Sequence, residues 1–172
     1  MSATMGSGSE TSSWKELARA AAVVEDASAA SEALRQLLMF SIADTPYAVP
    51  VESVREIVRI RPITPIPRVS QCVRGVISLR GEVLQVIDLR VRLDLPRAEV
   101  TRATRIIVIS VREGSLAGLL VDAVTQVLRV PESALMPQAG SETDAVEALC
   151  VRGKQFVSLI NLERILDVVS DH

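Results

Sequence analysis

Apolar and polar positions alternate in short runs along most of the chain, and turn residues punctuate them. Val54-Arg55-Glu56-Ile57-Val58-Arg59-Ile60 alternates strictly, the pattern of a half-buried strand. A period of two puts Val54, Glu56, Val58 and Ile60 on one face and Arg55, Ile57 and Arg59 on the other. Val76–Leu79 and Val83–Ile87 are two runs rich in β-branched residues, separated by Arg80-Gly81-Glu82, and they predict a hairpin with a guanidinium at its tip. Asp88 is placed to cap a short helical turn, Leu89-Arg90-Val91-Arg92-Leu93. Upstream, Leu37–Ile42 and Tyr47–Val51 read as strands around an Asp44-Thr45-Pro46 turn. The prolines at 62, 65 and 67 make 61–67 an extended loop, and Val69–Gly75 predicts a short helix ending at Gly75.

The second half repeats the scheme. Arg105–Val111 and Leu116–Asp122 flank a Glu113-Gly114 turn, and Ala123–Val130 continues as a strand. Pro131-Glu132-Ser133 starts a turn, and Pro137–Asp144 is a loop. Leu149–Val151 and Phe156–Ile160 form a third hairpin around Arg152-Gly153-Lys154, and Asn161 caps a helix over Leu162–Val168. This last unit echoes the hairpin around Arg80-Gly81 and its capped helix, with a one-residue slip after Gly153, which suggests two similar small β-units in one domain. Many short strands with proline and glycine turns favour an all-β barrel architecture with a few short helices.

Composition narrows the function. The 172 residues are 48% hydrophobic but only 2% aromatic, so the core is built from Val, Ile, Leu and Ala, and base stacking is an unsuitable mode of action. The net charge of -2 and a pI of about 5.5 argue against nucleic acid as a partner. That charge resides in residues 1–35, a Ser/Gly/Ala-rich tail expected to be disordered or partly helical. Within it Ser13-Trp14-Lys15-Glu16 has capping-box spacing and opens a helix to about Asp26, with Trp14, Leu17, Ala18 and Ala21 on one face. That helix either packs weakly or docks on the domain or a partner through Trp14. Residues 36–172 form the domain proper and carry 16 basic and 16 acidic residues, a balance that suits protein interfaces where arginine is enriched.

The parts of a catalytic site are missing. His172, the only histidine, is the final residue. Cys72 and Cys150 are far apart and fit no metal or redox spacing, and no glycine-rich phosphate loop occurs. The expectation is a protein without catalytic residues, metal or cofactor. Neither a membrane-spanning run nor a signal-peptide pattern is present, so a cytoplasmic location without direct membrane insertion is expected.

The order of motifs resembles the CheW family, adaptors of bacterial chemosensory systems. The matching pieces are the strand with Phe40, Tyr47-Ala48-Val49-Pro50-Val51, Val54-Arg55-Glu56-Ile57 and Ile63-Thr64-Pro65-Ile66-Pro67. They continue with Gly75-Val76-Ile77-Ser78-Leu79-Arg80-Gly81, Val86-Ile87-Asp88-Leu89-Arg90, Gly118-Leu119-Leu120-Val121-Asp122 and Leu159-Ile160-Asn161-Leu162. The resemblance covers residues 37–168. It implies two five-stranded β-barrels, intertwined subdomains packed around a shared hydrophobic core, and no catalysis. It implies an adaptor coupling chemoreceptor cytoplasmic tips to the regulatory domain of a CheA-type histidine kinase, recruited to receptor arrays. A scaffold of a specialised pathway, such as pilus motility, development or surface sensing, is the second reading, and an unrecognised enzyme a remote third. Carried over by position, the receptor groove includes Val54, Glu56, Ile57, Gly75, Arg80 and Ile107; the kinase-binding residues are left unassigned. Glu56 and Arg80 look like the family's acid–base pair, serving as receptor contact, as a structural ion pair, or as both. Ser78 stands where the family usually has asparagine, which bears on receptor choice more than on fold.

Overall fold

The computed structural model describes residues 33–138 and 145–170. The expected tail helix, most of the 137–144 loop and His172 lie outside them. Eleven strands form two sheets. They are β1 (Leu34–Ile42), β2 (Thr45–Pro50), β3 (Val54–Arg59), β4 (Val73–Leu79), β5 (Glu82–Asp88), β6 (Arg105–Ser110), β7 (Leu116–Val121), β8 (Ala123–Pro131), β9 (Leu135–Pro137), β10 (Val146–Arg152) and β11 (Gln155–Ile160). Helix α1 (Leu89–Arg92) follows β5 and helix α2 (Leu162–Ser170) follows β11. One sheet has the order β8-β1-β2-β11-β10-β9 and the other β3-β6-β7-β5-β4.

The order explains the internal echo. The first repeat, β1 to α1, leaves its leading hairpin β1–β2 in one sheet and its remaining strands β3–β5 in the other. The second repeat, β6 to α2, does the reverse. Each sheet is therefore stitched from both repeats along two seams, one antiparallel (β1 with β8, β3 with β6) and one parallel (β2 with β11, β5 with β7). Strand β9, which the sequence pattern did not reveal, has its counterpart in a single Thr64–Val76 bridge on β4. The slip in the echo is also explained. Arg80-Gly81 is itself the two-residue turn, whereas Arg152 is the last residue of β10, paired with Gln155, and the turn is Gly153-Lys154.

Burial follows from this wrapping. Leu38, Phe40 and Ile42 on β1 and Ile107 and Ile109 on β6 enter a central cluster between the sheets. Their neighbours Leu37 and Met39 fill the hollow of one sheet, and Ile106 and Val108 that of the other. Strands apolar on both faces read as continuous runs, because neither face meets water. The Asp88 cap is present: its Oδ1 accepts from the Arg90 amide at 3.0 Å.

Two expectations are corrected. Val69–Gly75 is not a helix; β4 already begins at Val73. Gly75 is a strand residue at φ 144°, at a bulge, where a Cβ would collide with the Thr64 backbone, its carbonyl carbon lying 2.7 Å away. The glycine marks close backbone approach rather than a helix end. The β1–β2 turn falls on Ala43-Asp44, both at positive φ (51° and 65°), with Thr45 and Pro46 already in β2.

Candidate functional site

The site expected around Glu56 and Arg80 starts from a bulge. The β3–β6 register pairs Val54 with Ile109 but Glu56 with Val108, so one extra residue, Arg55, is inserted between them. A one-residue slip exchanges faces. Val54 therefore joins Ile57 against the central cluster, while Glu56 and Val58 face the other way with Val108 and Ile106. Strict alternation had put Val54 with Glu56, and the bulge overturns it.

Arg80 is positioned by the hairpin turn. Arg80 and Gly81 have φ of 52° and 83°, the two positive values a type I′ connection needs, and Glu82 pairs with Leu79 as the first residue of β5. This aims the guanidinium at β3. Arg80 Nη1 lies 3.4 Å from Glu56 Oε1; the Glu56 side chain is 10% exposed and that of Arg80 68%. The separation exceeds that of a charge-assisted hydrogen bond. An ion pair so exposed on one side stabilises the fold by less than about 1 kcal/mol. Its topological position is more telling. β3 and β4 are the two ends of the five-stranded sheet. Among the described residues the gap between them is crossed by this pair, by Arg61 Nη1 donating to the Ser78 carbonyl at 3.1 Å, and by the Thr64–Val76 bridge.

Val54, Arg55, Glu56, Leu79, Arg80, Glu82 and Leu116 line a cleft of about 510 Å³ at this gap. A guanidinium has five N–H donors, and Arg80, 68% exposed and lining the cleft, has most of them left over from its one ion-pair contact. The arrangement suits binding of carbonyl or carboxylate groups rather than bond-making. The other expected groove residues are placed differently. Ile57 is half-buried and packs on the central core, and Gly75 lies against Thr64. Ile107, opposite Ile57 in the ladder, is fully buried, so it can shape a groove only from beneath. A second cleft, of about 460 Å³, lies between α2 and the end of β6, lined by Ser53, Arg112, Glu163 and Asp167 among others. Arg112 Nη2 and Glu163 Oε1 form an exposed pair at 3.2 Å across it.

The strongest polar cluster is one the sequence motifs contained without revealing. Arg90 Nε donates to Asp122 Oδ1 at 3.0 Å, and Arg90 Nη2 to Asp122 Oδ2 at 2.6 Å. Asp122 Oδ2 also accepts from the Ala43 amide at 2.8 Å, and Arg90 Nη1 donates to the Pro96 carbonyl at 3.3 Å. Asp122 sits where the chain leaves β7 in one sheet for β8 in the other. The cluster thus ties α1, the sheet crossing and the β1–β2 turn together, and it holds Ala43 in its left-handed conformation. Burial alone would raise the Asp122 pKa, but the Arg90 and Ala43 hydrogen bonds outweigh it and hold the carboxyl below its usual range. The Asp122 hydrogen bond raises the pKa of Arg90. Beside it, Arg74 Nη1 donates to Asp88 Oδ2 at 3.1 Å, which satisfies a carboxylate only 2% exposed. Across the repeats Arg92 Nη2 donates to the Arg164 carbonyl at 2.7 Å, joining α1 to α2.

Among the described residues no group of three or more His, Cys, Asp or Glu is arranged to hold a metal, and no helix is long and apolar enough to cross a membrane. Comparison with known proteins assigns the architecture. The CheW-like domain matches residues 36–170. The chain is 39% identical over 136 residues to a probable chemotaxis protein CheW of Rhizobium etli, covering 76% of this chain and 86% of that protein. It is 35% identical to the chemotaxis protein CheW of Bacillus subtilis (77% and 86% covered) and 31% identical to protein FrzA of Myxococcus xanthus (77% and 85%). The crystal structure of the scaffolding protein TtCheW from Thermoanaerobacter tengcongensis superposes with a TM-score of 0.74 at 29% identity, covering 79% of this chain and 94% of that one. The chain belongs to the CheW-like domain family, the non-catalytic scaffolds of chemotaxis-type signalling.

Proposed function

We propose that this scaffold couples the cytoplasmic tips of chemoreceptors to the regulatory domain of a CheA-type histidine kinase, working in the cytoplasm at receptor arrays. The observation that carries the receptor half is the cleft at the open end of the five-stranded sheet. There a nearly buried carboxylate, Glu56, holds a mostly exposed guanidinium, Arg80. The pair is too exposed to be explained by stability alone. A receptor helix laid in the cleft would meet Arg80 as a donor and Leu116 as an apolar wall, the mixture typical of interface anchors.

Titration of a receptor cytoplasmic fragment with this chain tests the reading. Arg80→Glu should reduce affinity at least tenfold, about 1.4 kcal/mol, while the protein stays folded by circular dichroism. Unchanged affinity removes Arg80 from the contact surface.

A further inference from the structure

The hairpin β10–β11 carries an apolar stripe that the described residues leave exposed. Val151 and Phe156 are directly opposed across the ladder, as are Leu149 and Met136 on β10 and β9. All four lie on the face opposite Cys150 and Val157, which fill the hollow of the six-stranded sheet. Phe156 is 57% exposed, Val151 48% and Met136 41%, and Leu149 is half-buried. Directly opposed pairs lie about 5 Å apart, so the four side chains form one continuous surface. Arg152 and Lys154, both exposed, edge it at the hairpin tip.

We propose that this stripe is the docking surface of the chain's own N-terminal segment, Trp14 to Asp26. Three observations choose that occupant. The first is position. The Glu132 amide donates to the Ala33 carbonyl at 3.3 Å, so the described chain begins beside the Glu132–Ala134 turn that leads into β9. Met136 is four residues further on, about 14 Å at most. The second is length. Asp26 to Ala33 is a seven-residue span that reaches roughly 13–16 Å as a flexible chain. The helix that the sequence pattern predicts over residues 14–26 would be about 20 Å long, enough to cover the stripe from Met136 to Phe156. The third is chemistry. The segment offers Trp14, Leu17, Ala18 and Ala21 on one face, and residues 1–32 contain five acidic and two basic residues. Glu10 and Glu16 flank Trp14 and complement Arg152 and Lys154. A docked segment would withhold this face from other proteins until displaced.

Trp14 is the only tryptophan, so it reports its own surroundings. In the full chain, acrylamide quenching of Trp14 should be well below that of the urea-unfolded chain and independent of protein concentration. Phe156→Asp should raise it to the unfolded value, and so should Leu17→Asp, which leaves the sheets untouched and separates undocking from misfolding. Quenching as efficient as in the unfolded chain overturns the proposal. So does protection that survives both substitutions, that disappears on dilution (a second copy as occupant), or that arises only when a kinase regulatory domain is added.

Discussion

Removing Arg90 tests how the two sheets are held together. Arg90→Met deletes two charge-assisted hydrogen bonds to Asp122 and one to the Pro96 carbonyl, and leaves Asp122 with the Ala43 amide as partner. Breaking a fully buried pair from one side costs about 3–5 kcal/mol. Here the side chains are 19% and 31% exposed, so water compensates in part, and we expect a loss of about 2–3 kcal/mol. For a domain of this size that is a fall in Tm of roughly 6–10 °C. Arg90→Lys keeps the charge but loses the two-pronged geometry, and about half the loss should remain. The pH dependence follows from Asp122, whose folded-state pKa is lowered. A group of this kind stabilises the fold above its unfolded pKa, near 3.9, and the contribution disappears as pH falls through the folded value. The gap between wild type and Arg90→Met should stay constant from pH 7 to about 5 and narrow below about 4. Urea denaturation at pH 7 and again near pH 3.5 measures both. A loss under about 0.5 kcal/mol at pH 7, or a gap that does not narrow in acid, refutes the assignment of this pair as the tie between the sheets.

Other substitutions separate packing from binding. Gly75→Ala should cost more than about 3 kcal/mol in urea denaturation, since its Cβ would meet the Thr64 backbone at a left-handed φ; Gly81→Ala, at φ 83° in open space, should cost only about 1–2 kcal/mol. Gly118→Ala should cost about 1–3 kcal/mol, because its Cβ would approach Ile106 Cγ2 to 2.7 Å. Burial raises the Cys150 thiol pKa and Cys72 is also buried, so a thiol reagent at pH 8 should label the folded protein far more slowly than the urea-unfolded chain.

The hairpins, the caps and the all-β class were legible in the sequence because they rest on local chemistry: β-branched runs, Arg80-Gly81 and Gly153 at turns, and Asp88 and Asn161 before helices. What failed depends on contacts distant along the chain. Gly75 reads as a helix end until Thr64 is seen against it. The alternation over Val54–Ile60 is broken by a bulge that only the β6 register reveals. The three residues of β9 are too few to show a period. Ile107 belongs to a strand buried on both faces, so its exposure could not be read from pattern. Arg90 and Asp122 were visible inside two separate motifs, but spacing along the chain does not say that 32 residues later a carboxylate returns to a guanidinium. That Glu56 needs a partner was legible because it is a carboxylate among apolar neighbours, and Arg80 because it stands at a hairpin tip; that the two pair came from the family resemblance, and the structure shows the ion pair itself.

Coupling of receptor to kinase by this scaffold is a proposal about activity. Autophosphorylation of a CheA-type kinase, reconstituted with receptor cytoplasmic fragments on vesicles with and without this chain, tests it directly. Kinase activity should rise on adding the chain, and Arg80→Glu should lose most of the increase while remaining folded. Equal kinase activity with and without the chain, with neither receptor nor kinase co-sedimenting with it, would rule out a coupling role.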